Sequence, residues 1–344
     1  MKSTVHRPRA PRARMRRSRR TTRAFLVVVS TVMATASIGV LCGRGLAGAA
    51  RGEVSKGVFT PAPVCHANPP TTTKKASTVC STWAVRDAWA GHAPVVAFLD
   101  FHPQGQPAGV MAYAGWIRTA ATVLGLYPGY EGPGVTSLPR GPESVPSTGL
   151  GRLLATFNSG FYEHDGLGGF YTNHTLYFPM IKGLATVVRY TNGTVGITQW
   201  AGGPDPGPTV VMARQNLPLL VDNSRPTPRT ADDFAWGLTL HGAPAVWRSA
   251  LGIDKNGNLI YAAAPAQTAA SMASVMVQLH CVRAMELDIN PEWPIFVTYS
   301  GPGAMGPALD VPNPNQIPNR FLYPSTKDFF AVFLSRGPGE PQPW

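Results

Sequence analysis

The sequence predicts a single α+β domain in which strands in mixed sheets predominate and a few helices pack against them. With 344 residues and 44% hydrophobic composition, the chain can bury a sizeable core. β-Rich runs flank Asn-Gly turns at 191–193 and 255–258, which is the strongest short hairpin signal in a sequence. In the same part of the chain, apolar residues recur at helical spacing only in 268–280. These observations favour a strand-rich domain, predicted to occupy 83–344.

The first 23 residues form a basic tail, which is predicted to be cytoplasmic. The net charge of +12 and the pI near 9.9 are values typical of nucleic-acid binders. However, ten of the 30 Lys and Arg lie in this tail, and after residue 51 the chain carries 18 basic and 18 acidic residues. The excess charge is confined to the amino terminus, so no nucleic-acid partner is expected.

An uncharged apolar segment runs from Ala24 to Cys42. It is long enough for about one membrane crossing, and the basic tail before it favours a cytoplasmic amino terminus. Residues 24–50 are predicted to be a transmembrane signal anchor, with membrane contact through 24–42 and the domain outside a single-pass membrane protein. Alternatively, they are a signal peptide cleaved near Ala49, within "LAGAA" at 46–50, which would release a secreted protein.

Residues 51–82 are rich in Pro and Thr and lack hydrophobic periodicity, which predicts a linker. Cys65 and Cys80 lie fifteen positions apart and are predicted to form a disulfide outside the cell, where closing this loop contributes about 3 kcal/mol. Cys281 lies between apolar residues, which predicts a buried thiol. No Cys and His spacing is typical of a metal site, so no metal or cofactor is expected.

The rest of the chain reads as buried strands, hairpins and one helix. Apolar runs at 94–101 and 152–157 predict strands separated by a Gly- and Pro-rich loop at 126–149. The helix 268–280 leads directly into the strand "VRAMELD" at 282–288. Its core-facing stripe consists of four apolar residues, Met272, Val275, Met276 and Leu279. A loop at 312–319 precedes a last apolar segment, "DFFAVFLSR", at 328–336.

Two carboxylates stand in the strand that enters "AMELDINPEW" at 284–293. Alternate side chains of a strand share a face, so Glu286 and Asp288 would point the same way, about 6.6 Å apart. Met285, Leu287 and Ile289 would pack on the other face. Two acids in one cleft suit glycoside hydrolysis, in which one carboxylate attacks or activates water and another can donate a proton, at separations of about 5 to 9.5 Å.

Four stretches in a fixed order together resemble the phosphodiester glycosidase family. They are "ATFNSGFY" at 155–162, "ARQNLPLLVDN" at 213–223, "WRSALGIDKNGNLIYAA" at 247–263 and "RAMELDIN" at 283–290. The resemblance covers roughly 152–300. The family includes the enzyme that uncovers mannose 6-phosphate by removing its blocking N-acetylglucosamine, together with many exported bacterial relatives.

The resemblance extends to individual motif positions. Asn158, Gly160 and Phe161 match the family's Asn-Gly-Gly-Phe-Phe motif, with Ser159 in place of the first glycine. Arg248, Ser249 and Gly252 match its Arg-Thr-Ala-Ile-Gly motif. Leu287 and Asp288 match the beginning of its Leu-Asp-Gly-Gly-Gly-Ser motif.

The resemblance implies an exported hydrolase that cleaves a sugar-1-phosphodiester or a related cell-envelope glycan. The implied catalytic residues are Asp288 as nucleophile or base, Glu286 as the second carboxylate, and Arg248, whose paired donors suit phosphate oxygens. The implied substrate-binding residues are Asn158, Gly160 and Phe161. Asn290 and Glu292, which lie beyond the matched positions, are also predicted to bind substrate, since an amide such as that of Asn290 can both donate to and accept from sugar hydroxyls. The expected partner is the envelope glycan or a sugar-phosphate polymer.

The chain departs from the family after Asp288. Where the family has three glycines and a serine, this sequence has Ile289, Asn290, Pro291 and Glu292. Such glycines let a backbone approach a ligand and present N–H groups to it. The alternative function is therefore a noncatalytic glycan-binding or envelope-assembly protein that retains the fold.

The proposed site residues also have structural alternatives. Asp288 would then be a turn cap, Glu286 a solvated strand residue, Arg248 an ion-pair partner and Asn158 a turn former.

Overall fold

The computed structural model describes residues 60–68, 77–90, 93–166, 168–237 and 242–344. In these ranges no helix is both long enough and apolar enough to cross a membrane. The predicted cytoplasmic tail 1–23 and the predicted membrane segment 24–42 lie outside the described residues.

Strands make up most of the regular structure. In the first half they are β1 Val64–Asn68, β2 Ser77–Ser81, β3 Ala84–Val85, β4 Val96–Phe101, β5 Ala112–Ile117, β6 Thr122–Tyr127, β7 Leu153–Asn158, β8 Phe170–Thr172, β9 Thr175–Phe178 and β10 Ala185–Tyr190. In the second half they are β11 Val195–Gln199, β12 Val210–Gln215, β13 Leu219–Asp222, β14 Arg225–Pro226, β15 Val246–Asp254, β16 Leu259–Gln267, β17 Cys281–Glu286, β18 Phe296–Gly301, β19 Met305–Leu309 and β20 Phe329–Leu334.

The described residues contain few helices. The α-helices are α1 Glu163–Gly166 and α2 Ala269–Gln278. The short 3₁₀ turns are Ala88–Ala90, Thr119–Ala121, Leu150–Arg152, Pro228–Ala231, Asp233–Trp236 and Arg320–Leu322. The prediction of a strand-rich α+β fold with a few packed helices is confirmed.

The strands form three large sheets and one small hairpin. The largest sheet has eight strands in the order β14-β13-β17-β15-β16-β5-β4-β3, and β1 pairs with β2 alone. Two five-stranded sheets have the orders β19-β18-β7-β20-β6 and β11-β10-β12-β8-β9. Every pairing among the described strands is antiparallel, whereas the sequence suggested mixed sheets. Hairpin connections account for the pairs that are adjacent in sequence, because a short turn can join only antiparallel neighbours.

The main core lies between the eight-stranded sheet and the β7 sheet. Phe157 of β7 packs against Tyr261 of β16 at a ring-centroid distance of 5.4 Å. The Phe157 ring also stacks on Phe296 at 5.8 Å and on Phe330 at 5.1 Å. Alternate residues of β15 to β17 enter this core, and the others face α2 on the opposite side of the sheet. The eight-stranded sheet is therefore buried on both faces.

Helix α2 confirms the predicted stripe, since Met272, Val275, Met276 and Leu279 are all buried. The helix begins with a capping box, in which the Thr268 side chain accepts from the Ser271 N–H. Glycine at position 252 is required where α2 meets β15. A Cβ there would overlap Cys281 and would come within 2.7 Å of Met276 Cε.

Both predicted hairpins are present. β10 pairs with β11 across the 191–193 turn, and β15 pairs with β16 across the 255–258 turn. In each turn the glycine has positive φ, +87° at Gly193 and +83° at Gly257, a conformation that other residues adopt only with strain. Turn chemistry in the sequence thus fixed the positions of four strands.

Part of the predicted linker is folded, which corrects the boundary drawn at residue 82. β1 and β2 pair with Cys65 opposite Cys80, and the two cysteines form the predicted disulfide. Val64 is buried in the cluster that contains α2. The Trp83 indole N–H donates to Ala62 O at 2.9 Å. The two strands were not predicted because a Pro- and Thr-rich composition is typical of a linker. The disulfide holds them together although the segment lacks hydrophobic periodicity.

Peptide mapping of the unreduced protein is expected to recover Cys65 linked to Cys80 and Cys281 as a free thiol. Cys281 is fully buried, and burial raises the pKa of its thiol, so alkylation should require unfolding. Alkylation of Cys281 in the folded state, or a bridge that includes Cys281, would contradict the structure.

Candidate active site

Ends of strands from all three large sheets lie near one another. β7 ends at Asn158, β12 at Gln215 and β17 at Glu286, while β15 begins at Val246 and β20 at Phe329. Phe329 lies opposite Asn158 in the register of β20 and β7. This region contains three buried ion pairs, which define the candidate site.

The first pair joins two residues predicted from the sequence, Arg248 and Glu286. Arg248 Nη1 lies 2.5 Å from Glu286 Oε1, and neither side chain is accessible to solvent. The remaining guanidinium hydrogen bonds run to backbone carbonyls: Nε to Gln267 at 2.9 Å, Nη1 to Trp236 at 3.3 Å and Nη2 to Pro244 at 3.2 Å. Arg248 thus holds Glu286 as an ion-pair partner, and its direct contact with phosphate stays a prediction.

Glu286 is not the solvated strand residue of the alternative interpretation. Burial raises its pKa to about 7, although Arg248 acts to lower it and Asp288 adds to the rise. Within the described residues, Glu286 Oε2 has no hydrogen-bond partner. The group can therefore hold or release a proton near neutral pH.

We expect the free energy of unfolding to depend on pH through Glu286. Its pKa is raised in the folded state, so its stabilising contribution is fully present below about pH 4.5. That contribution is lost as the pH rises through about 7, a change of about 3 kcal/mol at most. Denaturant unfolding of wild type and Glu286→Gln at about pH 5 and pH 8 measures it. The exposed Glu131→Gln is the control, and equal pH slopes for wild type and Glu286→Gln would contradict the expectation.

The second pair joins Asp288 to Lys327, whose Nζ contacts Asp288 Oδ2. Asp288 Oδ1 accepts the Asn290 N–H at 2.9 Å, so the carboxylate also caps the following turn. Burial raises the pKa of Asp288, and Lys327 opposes that rise. The Lys327 ammonium lies over two aromatic rings, 4.6 Å from the Tyr162 centroid and 5.0 Å from the Trp293 centroid.

The third pair, Arg214 with Asp328, was not predicted. Arg214 Nε donates to Asp328 Oδ2 at 2.8 Å, and both side chains are buried. Asp328 Oδ1 has no hydrogen-bond partner in the described part of the chain. Arg214 also donates to Phe161 O at 2.5 Å. One signal was available in the sequence, because Arg214 lies in the second matched stretch and Asp328 begins the last apolar run.

The three pairs form one electrostatic cluster. Asp288 raises the pKa of Glu286, and Asp328 raises the pKa of Asp288. The Asn216 side-chain amide donates to Glu286 O and Leu287 O, both at 2.8 Å, which ties β12 to β17 between the pairs. Three carboxylates thus lie close together in the interior, each held by its own cation.

Asn158, predicted to bind substrate, is a cross-link between elements. Its Nδ2 donates to Ser249 Oγ at 3.0 Å and to Ser159 O at 3.0 Å. Its Oδ1 accepts from Tyr261 at 2.9 Å and from the Ile295 N–H at 3.2 Å. These bonds hold β7, β15, β16 and the loop after Asp288 together, so a sugar would have to displace them to reach this side chain.

Gly160 and Phe161 lie beside the third pair. A Cβ at Gly160 would approach Asn216 Cγ at 3.3 Å and Arg214 Nη2 at 3.4 Å, so the small residue lets the chain run close to both. The Phe161 side chain is buried. These two residues shape the site beside the third pair, and their contact with substrate stays a prediction.

The loop that replaces the family's glycines is partly exposed. Asn290 is half-buried, and its Oδ1 accepts the Glu292 N–H at 3.0 Å. Glu292 is exposed. Asn313 Nδ2 donates to Pro291 O at 2.8 Å and to Pro294 O at 3.0 Å, which holds the loop in place. Asn290 and Glu292 can therefore reach a ligand on the solvent side of Asp288.

A half-buried rim surrounds Lys327 and was also not predicted as a site. It consists of Tyr162, Trp293 and Arg320. Arg320 Cζ lies 5.0 Å from the Trp293 ring centroid, and its Nη2 donates to Thr326 Oγ1 at 3.1 Å. Burial lowers the pKa of Arg320. Aromatic faces and cations at the mouth suit a ligand that has both a sugar ring and an anionic group.

Two cavities of the described part do not coincide with the ion pairs. One of about 320 Å³ and one of about 800 Å³ are lined by none of the six charged residues. We place the chemistry at the ion pairs because buried carboxylates with raised pKa values are concentrated there. No group of His, Cys, Asp and Glu in the described ranges has an arrangement that could hold a metal ion.

Comparison with known proteins finds a family model that matches the central segment. Residues 154–288 match the family model described as phosphodiester glycosidase, which confirms the resemblance seen in the sequence motifs. The match includes both residues of the first pair, Arg248 and Glu286, and it also includes Arg214 and Asp288. Lys327 and Asp328 lie beyond it. No curated protein matches the chain.

Among solved structures, one similar chain is the zebrafish N-acetylglucosamine-1-phosphodiester alpha-N-acetylglucosaminidase catalytic domain auto-inhibited by its pro-peptide. It is 15% identical, with 74% of this chain and 88% of that chain covered and a TM-score of 0.46. Another is a hypothetical protein from Synechocystis, 11% identical, with 79% and 68% covered and a TM-score of 0.42. The family match supports a hydrolase of the glycosidase type.

Proposed function

We propose that the chain hydrolyses the glycosidic bond of a sugar-1-phosphodiester in a cell-envelope glycan or a related sugar-phosphate polymer. The family match supports the glycosidase class. The observation that carries the substrate class is the Lys327–Asp288 pair beneath Tyr162, Trp293 and Arg320. This arrangement supports the proposal, because a carboxylate that could attack lies beside cations that suit phosphate and aromatic faces that suit a sugar.

The proposed reaction depends on one carboxylate and does not require a second one. Asp288 either activates water to attack the anomeric carbon, or attacks that carbon itself and forms a glycosyl ester that water then hydrolyses. In both cases the bond between the anomeric carbon and the phosphate oxygen breaks, and the phosphate monoester leaves as a stable anion with little need for protonation. Glu286 stays behind Asp288, where its proton uptake sets the charge of the site. Arg248 and Arg214 hold Glu286 and Asp328 in position. The roles of Asn158, Gly160 and Phe161 are then to fix the backbone around these groups.

Lys327 is both the partner of Asp288 and the nearest cation for phosphate. When an anionic phosphodiester binds at the rim, its oxygens compete with Asp288 for the ammonium. When the contact with Lys327 breaks, a carboxylate oxygen of Asp288 becomes available to react while the substrate is bound. The buried surroundings strengthen that exchange, because charges interact more strongly in the low dielectric of the interior than in water.

The predicted export favours an envelope substrate. The basic tail and the apolar segment favour a domain on the outer side of the membrane. The Cys65–Cys80 disulfide agrees with an oxidising compartment. Whether the segment 24–50 anchors the protein or is cleaved near Ala49 does not alter the reaction.

Replacing Arg320 with Gln is expected to weaken the affinity for a sugar-1-phosphodiester about tenfold, because a charged hydrogen bond to phosphate is lost. A phosphate-free glycoside of the same sugar should lose much less. Steady-state kinetics with both substrates gives the comparison, and the exposed Arg225→Gln is the control. An equal loss with both substrates would show that Arg320 does not contact phosphate.

A noncatalytic glycan-binding or assembly function is the second candidate, favoured by the loss of the glycine loop after Asp288. Incubating the purified protein with sugar-phosphodiesters and wall polymers, followed by product analysis, separates the two. Release of free sugar and a phosphate monoester supports the hydrolase. Binding of the polymer without any product supports the second function.

A further inference from the structure

The cavity of about 800 Å³ lies at the edge of the eight-stranded sheet opposite the ion pairs. It is bordered by Asp254 at the end of β15 and by Cys281 at the start of β17. Arg248 and Asp254 are six residues apart on the same strand, which corresponds to about 20 Å. We call this cavity the Trp83 groove, and its size is within the range of about 300–1,000 Å³ typical of ligand sites.

Two tryptophans line the Trp83 groove. Trp83 is half-buried, and its N–H is engaged by Ala62 O at 2.9 Å, which fixes the orientation of the indole. Trp116 is 3% exposed, and its Nε1 has no hydrogen-bond partner in the described residues. A buried indole N–H normally has a partner, so this one marks a place for an acceptor from a ligand.

The rim of the groove is polar and carries an excess of positive charge. Arg118 and Lys255 line it together with one carboxylate, Asp254. That carboxylate is engaged by its own turn, since its Oδ1 accepts the Asn256 N–H at 2.8 Å and the Asn258 N–H at 2.9 Å. The groove lining thus has two cationic side chains and one carboxylate, and this balance favours anions.

From this geometry we infer that the Trp83 groove is a second glycan-binding site, which takes sugar units of an anionic polymer. An aromatic face accommodates the C–H face of a sugar, an unpartnered N–H accommodates an oxygen, and the cations match a phosphate-bearing backbone. The inference rests on the proposed function, because the ligand is the polymer that the ion-pair site cleaves. A polymer bound here stays close to the cleaving site, about 20 Å away, between successive cleavages.

The test compares a polymer with a small substrate in the full chain. A purified anionic sugar-phosphate wall polymer is titrated calorimetrically into Trp83→Ala, Lys255→Glu and the control Lys182→Glu, a charge reversal of an exposed lysine in the turn before β10. Each variant is made in the Asp288→Asn background, so that the polymer stays intact. Hydrolysis of a methyl sugar-1-phosphodiester is measured in the same variants with Asp288 restored.

We expect Trp83→Ala to weaken polymer binding about tenfold and Lys255→Glu to weaken it several-fold at low salt, with the control unchanged. Hydrolysis of the small phosphodiester should be unaffected in all three. Polymer affinity equal to the control in both groove variants overturns the inference. So does a parallel loss of small-substrate hydrolysis. A third outcome is that wild type shows no hydrolysis, while Trp83→Ala still has weaker polymer binding. In that case the proposed function fails and the groove remains a binding site.

Discussion

Replacing Asp288 with Asn is expected to lower hydrolysis of a sugar-1-phosphodiester by about a thousandfold or more while substrate still binds. Asn keeps the size of the side chain and can still accept the Asn290 N–H, but it lacks the charge needed to attack or to activate water. The loss should appear in kcat with little change in KM. Steady-state kinetics on wild type and variant measures it.

The structure adds a requirement for this experiment. Asn at position 288 leaves the buried Lys327 ammonium without its carboxylate, and an uncompensated buried charge costs about 3–5 kcal/mol. Thermal unfolding must therefore accompany the kinetics. The double variant Asp288→Asn with Lys327→Met removes both charges and should recover much of the stability without recovering activity. Asp100→Asn, an exposed carboxylate on β4, is the control. A folded Asp288→Asn enzyme of normal activity would refute the assigned nucleophile.

The sequence was most informative where structure is local. The Asn-Gly turns specified two hairpins, because the backbone at Gly193 and Gly257 needs positive φ. The apolar spacing in 268–280 specified α2, whose stripe packs on the sheet. Asp288 and Glu286 could be selected because they interrupt an apolar strand.

The remaining parts of the site depend on contacts between distant positions. Lys327 lies 39 residues beyond Asp288, and Asp328 lies 114 residues beyond Arg214. Nothing in the local pattern of "STKDFF" distinguishes a surface lysine from one enclosed by two aromatic rings. The same limit explains Asn158, which looked like a sugar ligand but bonds to Ser249 and Tyr261 from other strands. Partners of a buried charge are set by topology, which a single sequence does not display.

Removing the Arg248 guanidinium is expected to have the largest effect on stability. Arg248→Met leaves Glu286 fully buried without its cation, at a cost of about 3–5 kcal/mol in the free energy of unfolding. The further rise in the pKa of Glu286 should make this loss larger at high pH than at low pH, since a protonated Glu286 needs no cation. Denaturant unfolding at several pH values measures both effects.

The double variant Arg248→Met with Glu286→Leu tests what the pair is for. It buries no unpaired charge, so it should regain most of the stability lost in Arg248→Met. The control is the exposed pair Arg283 and Asp222, whose side chains are 46% and 40% accessible, where Arg283→Met should cost less than about 1 kcal/mol. If the double variant is stable but hydrolyses poorly, Glu286 and Arg248 act in the reaction through the charge they set beside Asp288. Wild-type activity in a stable double variant would instead restrict the pair to a structural role. If Arg248→Met lowers the free energy of unfolding no more than Arg283→Met does, the buried pair does not form.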